Sequence, residues 1–349
     1  MKPNKAITVG GVEVLPGTRA VVNLPVADLY TATSLHMPVQ VLCGRRAGPT
    51  VFVSAAIHGD ELNGVEIIRR LLQLKALRSL RGTLLAVPVV NVHGFLGQSR
   101  YLPDRRDLNR SFPGSAQGSI AARLAHIFMS EVVLKAELGI DLHTGALDRS
   151  NLPQVRANVE DERTLALARV FGAPVVIGAA MRTGSLRACA AEKGIPVLIY
   201  EGGEALRFDE ISIKAGIRGI TRVLRSLGML AGQKTPARHG PVVATSSSWV
   251  RAPASGIVTA KARLGQRVRK GAQLALVTDP LGDRVQTVAS PMKGIIIGCS
   301  NLPLAHEGDA LFHIAAFDSV ASAESAVEEL NAIHDPTLGR AVESELMGT

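Results

Sequence analysis

Thr50-Val51-Phe52-Val53-Ser54-Ala55-Ala56-Ile57 runs directly into His58-Gly59-Asp60-Glu61 and then Leu62-Asn63-Gly64-Val65. The first eight residues are apolar or small with no polar alternation, the pattern of a strand covered on both faces. From Leu62 to Ala76 the spacing changes. Val65, Ile68, Leu71, Leu72 and Leu74 recur at helical intervals, which predicts a helix starting just after the polar tetrad. The same alternation continues outward. Strands are expected at Leu84–Val90, Leu138–Leu142, Val175–Ile177 and Pro196–Tyr200. Helices are expected at Ser119–Lys135, with Ser119 as N-cap, and at Ile211–Leu227. Strands alternating with helices specify an α/β domain with a parallel or mixed sheet flanked by helices.

Between Ala231 and Ser248 the composition turns to Gly, Pro, Ser, Thr and basic residues, which reads as a linker. The chain beyond Ser248 contains a repeat. Ala252-Pro253-Ala254-Ser255-Gly256-Ile257-Val258 is echoed by Ser290-Pro291-Met292-Lys293-Gly294-Ile295-Ile296, and Val268 to Val277 is echoed by Ala305 to Ile314. Two copies of a strand–turn–strand unit predict a small all-β domain with internal pseudo-symmetry. It is similar to the flattened barrel-sandwich of lipoyl and biotinyl domains. The expected organisation is a catalytic domain over 1–235, a lipoyl-like β domain over 245–318 and a C-terminal tail over 319–349, the tail carrying one weak helix at Ala321–Ile333.

The chain has 349 residues, 46% of them hydrophobic and 3% aromatic, so the core is built from aliphatic side chains. The net charge of +9 is spread in ones and twos, as at Arg69-Arg70 and Arg105-Arg106. A nucleic-acid surface concentrates its charge and interleaves aromatics, so no nucleic-acid partner is expected, and an acidic small substrate fits better. No stretch approaches the ~20 apolar residues of a membrane span. Cys43, Cys189 and Cys299 show no paired spacing, and the polar first eleven residues have no leader character, so a cytoplasmic location is expected.

The polar residues lie where the strands end. The predicted strands run into His58-Gly59-Asp60-Glu61, Asn91-Val92-His93, Asp141-Leu142-His143-Thr144-Gly145 and Glu201-Gly202-Gly203. In open α/β sheets ligands bind at the carboxyl ends of the strands, so these tips can meet in one crevice. His58 and Glu61, three apart at a strand-to-helix turn, can present an imidazole nitrogen and a carboxylate to one cation. His143 can supply a third ligand from a neighbouring tip. Two histidines and a glutamate leave a fourth tetrahedral position open, as in catalytic zinc sites. The bland reading of the pair is an exposed helix start, with Glu61 near the positive end of the dipole. In the loop Ser99–Gly114, adjacent Asn109 and Arg110 can offer an amide and a guanidinium fork to one carboxylate, or can be part of a solvated basic loop.

Taken in order, His58-Gly59-Asp60-Glu61, Asp107-Leu108-Asn109-Arg110-Ser111-Phe112-Pro113-Gly114, Asp141-Leu142-His143-Thr144-Gly145 and Glu201-Gly202-Gly203 resemble the motifs of the succinylglutamate desuccinylase/aspartoacylase family, within the zinc carboxypeptidase-like superfamily. The resemblance spans about residues 50–230. It implies one Zn2+ on His58, Glu61 and His143, Glu201 as general base, and Asn109 and Arg110 on the substrate carboxylate. It also implies Arg100 as the group that polarises the scissile carbonyl. The spacing from Arg100 to the Asn-Arg pair is two residues longer than in aspartoacylase, which leaves Arg105 and Arg106 as alternatives.

Asp141, two positions before His143 on the same strand face, can orient a ligand histidine, form a salt bridge or close a strand-end turn. His93 is expected on the pocket wall. Ser185 and Arg187 can reach substrate or simply form a loop. Lys293 invites comparison with a biotin-carrying lysine, but the repeat places it at the start of a unit and not at a hairpin tip. The β domain is therefore expected to be a scaffold, a pocket rim or a surface for homo-oligomerisation. The resulting expectation is a zinc-dependent hydrolase cleaving the amide of a small N-acyl amino acid or related carboxylate-bearing compound. Its rivals are a carboxypeptidase-type metallo-exopeptidase with the same zinc site, acting on a peptide or an acidic or isopeptide-linked polymer, and a non-catalytic lipoyl-like binding module.

Overall fold

The computed structural model of the chain describes residues 2–232 and 240–332. Its main sheet runs in the order Ser246–Arg251, Ala310–Ala316, Gly294–Ser300, Arg149–Ala157, Val197–Gly203, Leu138–His143, Arg46–Ala55, Arg81–Val87, Ser34–Cys43, Thr18–Asp28. The four strands from Val197–Gly203 to Arg81–Val87 are mutually parallel. They are the apolar runs that the sequence marks. The outer strands pair antiparallel.

Helices cover both faces. On one face Asn63–Leu71, Glu162–Phe171 and Glu210–Ser226 bury Ile67, Ile68, Leu71, Phe171, Ile213, Ile217, Ile220 and Val223 against Val53, Ile140, Leu198 and Tyr200. Each such side chain contributes roughly 1.5–3 kcal/mol on leaving water. On the other face Ile120–Glu131 and Leu186–Glu192 pack with the N-terminal strands around Phe52, Phe112 and Phe128. Ser119 caps the first of these helices by accepting a hydrogen bond from the Ala122 amide. The expected helix Leu62–Ala76 is shorter, Asn63–Leu71, and a 3-10 turn Lys75–Ser79 comes after it. Among the described residues no helix is long and apolar enough to cross a membrane.

The repeat is structural. Gly256–Ala260, Arg267–Val268 and Gln273–Thr278 correspond to Gly294–Ser300, Leu304–Ala305 and Ala310–Ala316. The copies exchange strands reciprocally: Gly256 faces Ala305, and Gly294 faces Val268. One half is a separate four-stranded sheet, and the other joins the main sheet where Gly294–Ser300 pairs with Arg149–Ala157. Lys293 lies in the bend that crosses from one half to the other.

Two expectations need correction. The linker expected over Ala231–Ser248 contains strand Val242–Ala244, paired with Val175–Gly178, and the start of strand Ser246–Arg251. Pairing with distant strands overrides the turn-like composition, as strand propensity yields to context. The second central strand ends at Val87, and Asn91 caps a short helix Val92–Leu96 through the Gly94 amide. His93 therefore sits on that helix and is absent from the cleft wall. The end of the predicted C-terminal helix, Ile333, and the tail beyond it lie outside the described residues; the helix itself spans Val320–Ala332.

Candidate metal centre and active site

The tips of the parallel strands open into a cleft of about 800 Å³. Strand Arg46–Ala55 ends in a left-handed turn at Ala56, φ +50°. This conformation costs a non-glycine residue roughly 1–2 kcal/mol and is retained where surroundings enforce it. Here the Val90 and Asn91 amides bond the Ala55 and Ala56 carbonyls and clamp the turn. Gly59 is required two residues on from Ile57, because a Cβ there would meet the Gly94 carbonyl carbon at 1.9 Å. The backbone crossing thus fixes the tetrad and turns both His58 and Glu61 into the interior, where they are 4% and 3% exposed.

Glu61 stands between the two histidines. Its Oε1 is 2.7 Å from His58 Nδ1, and its Oε2 is 2.8 Å from His143 Nδ1 and accepts the Thr144 amide at 3.1 Å. The opposite ring nitrogens are held by two more carboxylates: His143 Nε2 by Asp141 at 2.7 Å and His58 Nε2 by Asp107 at 3.2 Å. Asp141 is itself held by the Ser54 hydroxyl at 2.7 Å. Asp141 and Asp107 fix each ring with its Nε2–H donated outward, the arrangement that supports metal-ligating histidines. In that tautomer each Nδ1 carries a lone pair aimed at a carboxylate. Two acceptors facing each other need a proton or a cation between them. Ligand atoms of His58, Glu61 and His143 all lie within 4.8 Å of one another. The donor set therefore fits a small divalent cation.

Electrostatics agree. Burial opposes charging His143, but Asp141 and Glu61 outweigh it and raise its pKa well above the ordinary value. Burial likewise opposes charge on His58, and Glu61 with Asp107 reverses the sign. Glu61, against its own burial, is held far below the usual carboxylate range by the two histidines. Charges this deeply buried contribute little net stability, so their assembly points to function.

The other expected residues surround this centre. Arg100 Nη2 bonds Asp107 at 3.0 Å, and its Nη1 is 3.6 Å from Glu61. Arg105 and Arg106 are exposed and absent from the cleft wall. Asn109 uses Oδ1 to accept the Leu186 amide at 2.9 Å, which leaves its N–H2 as the remaining side-chain donors. Arg110 lines the cleft and donates to the Asn109 carbonyl. Glu201 pairs in register with His143 on the adjacent parallel strand and lines the same cleft. Ser185 caps helix Leu186–Glu192, and buried Arg187 bonds the Ala179 and Ala180 carbonyls; both line the cleft.

Several lining residues carry no local sequence signal: Arg149, Asn151, Arg156, Trp249, Arg251 and His313. Trp249, Arg251 and His313 come from the β unit. Trp249 and His313 stack with centroids 4.7 Å apart and planes 9° from parallel, and the Arg149 guanidinium lies 5.4 Å from the indole. The scattered excess of basic residues, unremarkable along the chain, is the one hint of this wall.

The catalytic-domain model of the succinylglutamate desuccinylase/aspartoacylase family matches residues 47–227, more than half of the chain. The N-alpha-acetyl-L-2,4-diaminobutyric acid deacetylase of Halomonas elongata is 26% identical over 268 residues, covering 73% of this chain and 78% of that protein. A succinylglutamate desuccinylase/aspartoacylase from Rhodobacter sphaeroides superposes with a TM-score of 0.77 at 25% identity, over 86% of this chain and 96% of the other. The ectoine utilization protein EutE (DoeB) from Ruegeria pomeroyi, at 24% identity, shares the fold with a TM-score of 0.77, over 86% of this chain and 95% of that one. By its sequence and its structure together, the chain belongs to the succinylglutamate desuccinylase/aspartoacylase family.

Proposed function

We propose that the protein is a zinc-dependent hydrolase that cleaves the amide bond of a small N-acyl amino acid or a related carboxylate-bearing compound. The observation that carries this reading is the convergence of His58, Glu61 and His143 on one point, with Asp107 and Asp141 fixing the rings from behind. Two imidazoles and one carboxylate are the donor set of catalytic zinc sites. Bound there, zinc would polarise the scissile carbonyl and lower the pKa of water toward neutrality. Glu201 would take the proton of the attacking water and deliver it to the leaving amine, so that amide and water become carboxylate and amine. Arg100, held by Asp107, would present its guanidinium to the carbonyl oxygen as charge develops there. Asn109 and Arg110 would receive the substrate carboxylate, the first through its N–H2 group and the second through its guanidinium.

A small substrate fits the cleft volume, and strand Ser246–Arg251 with His313 forms part of its wall. The deacetylase from Halomonas elongata supports the reading of an N-acyl amino acid as substrate. We read the pseudo-symmetric C-terminal unit, over about 245–318, as a lipoyl-like barrel-sandwich serving as a rim to a catalytic domain over 1–235. The three free cysteines fit a cytoplasmic setting.

The test is a panel of N-acetyl and N-succinyl amino acids and short peptides, offered to metal-stripped and zinc-loaded protein. Zinc-dependent release of amine from N-acyl amino acids is expected. Cleavage confined to peptides with a free C-terminus would replace the deacylase by an exopeptidase.

A further inference from the structure

Strand Arg149–Ala157 is the place where the molecule forks. Along one edge it pairs antiparallel with Val197–Gly203. Along the other, its first residues pair with Gly294–Ser300 of the β unit, and its last four with Val175–Gly178. Leu152 and Pro153 lie between the two branches; Pro153 has no N–H to offer a partner there. The register against Val197–Gly203 also slips at this point: Glu201 faces Gln154, whereas Gly203 faces Asn151. Three steps on one strand are matched by two on the other, which is a bulge.

The bulge has a consequence for side chains. Asn151 and Arg156 are five residues apart, and an unbroken strand would point them to opposite faces. With the extra residue both reach one atom. Asn151 Nδ2 donates to Glu201 Oε2 at 3.0 Å, and Arg156 Nη2 lies 3.0 Å from the same oxygen. Among the described residues none donates a hydrogen bond to Oε1. The hydrogen-bond donor comes from the branch joined to the β unit, the ion-pair partner from the branch joined to Val175–Gly178. Asn151 in turn sits over Gly298 of the β unit, where a Cβ would stand 2.9 Å from Asn151 Oδ1 and 3.2 Å from His313 Cβ. Having no side chain of its own, Gly298 leaves room at this spot for the Asn151 amide.

We infer that Asn151 and Arg156 are positioning residues for Glu201, gripping one carboxylate oxygen so that the other serves as the base, and that the β unit takes part in catalysis by seating Asn151 on Gly298. This rests on the reading of Glu201 as general base. A carboxylate on a flexible side chain samples several rotamers; a hydrogen bond from Asn151 and an ion pair with Arg156, both on Oε2, select one, and a base acts only from within hydrogen-bond reach of its proton. The β unit is then part of the catalytic framework as well as the rim of the cleft.

The experiment is a set of double-mutant cycles on the zinc-loaded, full-length enzyme, with zinc content and melting temperature measured for every variant. Asn151→Ala and Arg156→Lys are each expected to lower kcat by roughly tenfold, a fraction of the 10²–10⁴ that a positioned base supplies, with KM changed less than about twofold. Zinc should stay at one per chain. In a Glu201→Gln background, where no base is left to position, the same substitutions should lower the residual rate no further. Gly298→Ala should act like Asn151→Ala, and adding it to Asn151→Ala should change little. Should Gly298→Ala fail to fold, the Asn151 and Arg156 cycles still decide. Equal losses in both backgrounds, a change confined to KM, or wild-type kcat in Asn151→Ala and Arg156→Lys would overturn the positioning role while leaving Glu201 as the base. Wild-type turnover in Glu201→Gln alone would instead overturn the base assignment, and the inference with it.

Discussion

The two walls of the cleft are built on opposite electrostatic plans. The wall at the strand tips gathers carboxylates: Glu61, Asp107 and Asp141 enclose His58 and His143, and each of the three has a partner within 3.2 Å. The facing wall gathers donors. Arg149, Arg156, Arg182, Arg187 and Arg251 line it, and Arg156 meets Glu201 at the border between the two. Several of its polar atoms have no partner among the described residues, including Arg156 Nε, Arg187 Nη1 and His313 Nδ1. Burying a donor without an acceptor costs about 1–3 kcal/mol. A wall of acceptors around imidazoles suits a cation; a wall of spare donors suits an anion. On the proposed reading one cleft would divide its labour, the tips to activate water and the far wall to hold the charged parts of a substrate.

The largest effect that would break this division concerns the first wall. His143→Ala or His58→Ala should remove the metal and bring turnover to the uncatalysed level. The chain should still fold, since the site lies at strand ends outside the two aliphatic cores. Elemental analysis and circular dichroism check both halves of this statement. Freshly purified wild type with no transition metal at all would end the reading of the first wall as a cation site.

Next in size is Glu201→Gln, which keeps the side chain's volume and its bond to Asn151 but removes the proton acceptor. Turnover should fall by roughly 10²–10⁴ with zinc retained. Retained metal with lost turnover separates the base from the ligands; loss of both would place Glu201 with the metal and redraw the border between the walls.

Arg110 sharpens the comparison at its edge. It is exposed at the cleft mouth, so solvent screens its charge. Arg110→Ala should weaken kcat/KM by roughly 10–100-fold, on the scale of a charged hydrogen bond worth ~1.5–3 kcal/mol. Arg110→Lys should rescue little, because an ammonium lacks the planar fork. Converting the substrate carboxylate to an amide should cost wild type a similar factor and the Arg110→Ala enzyme almost nothing more. Additive losses would move the carboxylate elsewhere on the basic wall.

The two walls also differ in how far the amino-acid sequence reveals them. The first is written locally. His58 and Glu61 are three apart, Asp141 and His143 two apart, and each group sits where an apolar run stops, so periodicity alone finds the strand tips. The second is assembled by pairing. Asn151 and Arg156 reach Glu201, some 50 residues on, only through a bulge. Trp249 and Arg251 lie on a strand whose start, Ser246-Ser247-Ser248, has the composition of a linker. Strand Arg149–Ala157 itself escapes notice because Pro153 and two arginines break its apolar pattern. The alternating strands Thr18–Asp28 and Ser34–Cys43 add width to the sheet but no residue to the cleft wall.

The smallest predicted effect tests whether the far wall is truly short of acceptors. His313 is 5% exposed, stacked on Trp249, and lined up with cations rather than acids. Burial, reinforced by the charge of Arg156, pulls its pKa down from 6.5 to about 4. The fold therefore prefers the neutral ring. The stability this preference contributes is complete above the unfolded value near 6.5 and is lost as pH falls toward 4, because the unfolded chain binds a proton that the folded chain refuses. Between those limits the slope is at most about 1.4 kcal/mol per pH unit. His313→Phe keeps an aromatic ring against Trp249 and removes the titration. The difference in unfolding free energy between wild type and His313→Phe should shift against wild type as pH drops from 6.5 to about 4, then level off. Taking the difference cancels His58, His143 and every carboxylate, which titrate alike in both proteins. Parallel acid limbs would mean that His313 finds an acceptor in solution and that the far wall is less starved of them than its geometry implies.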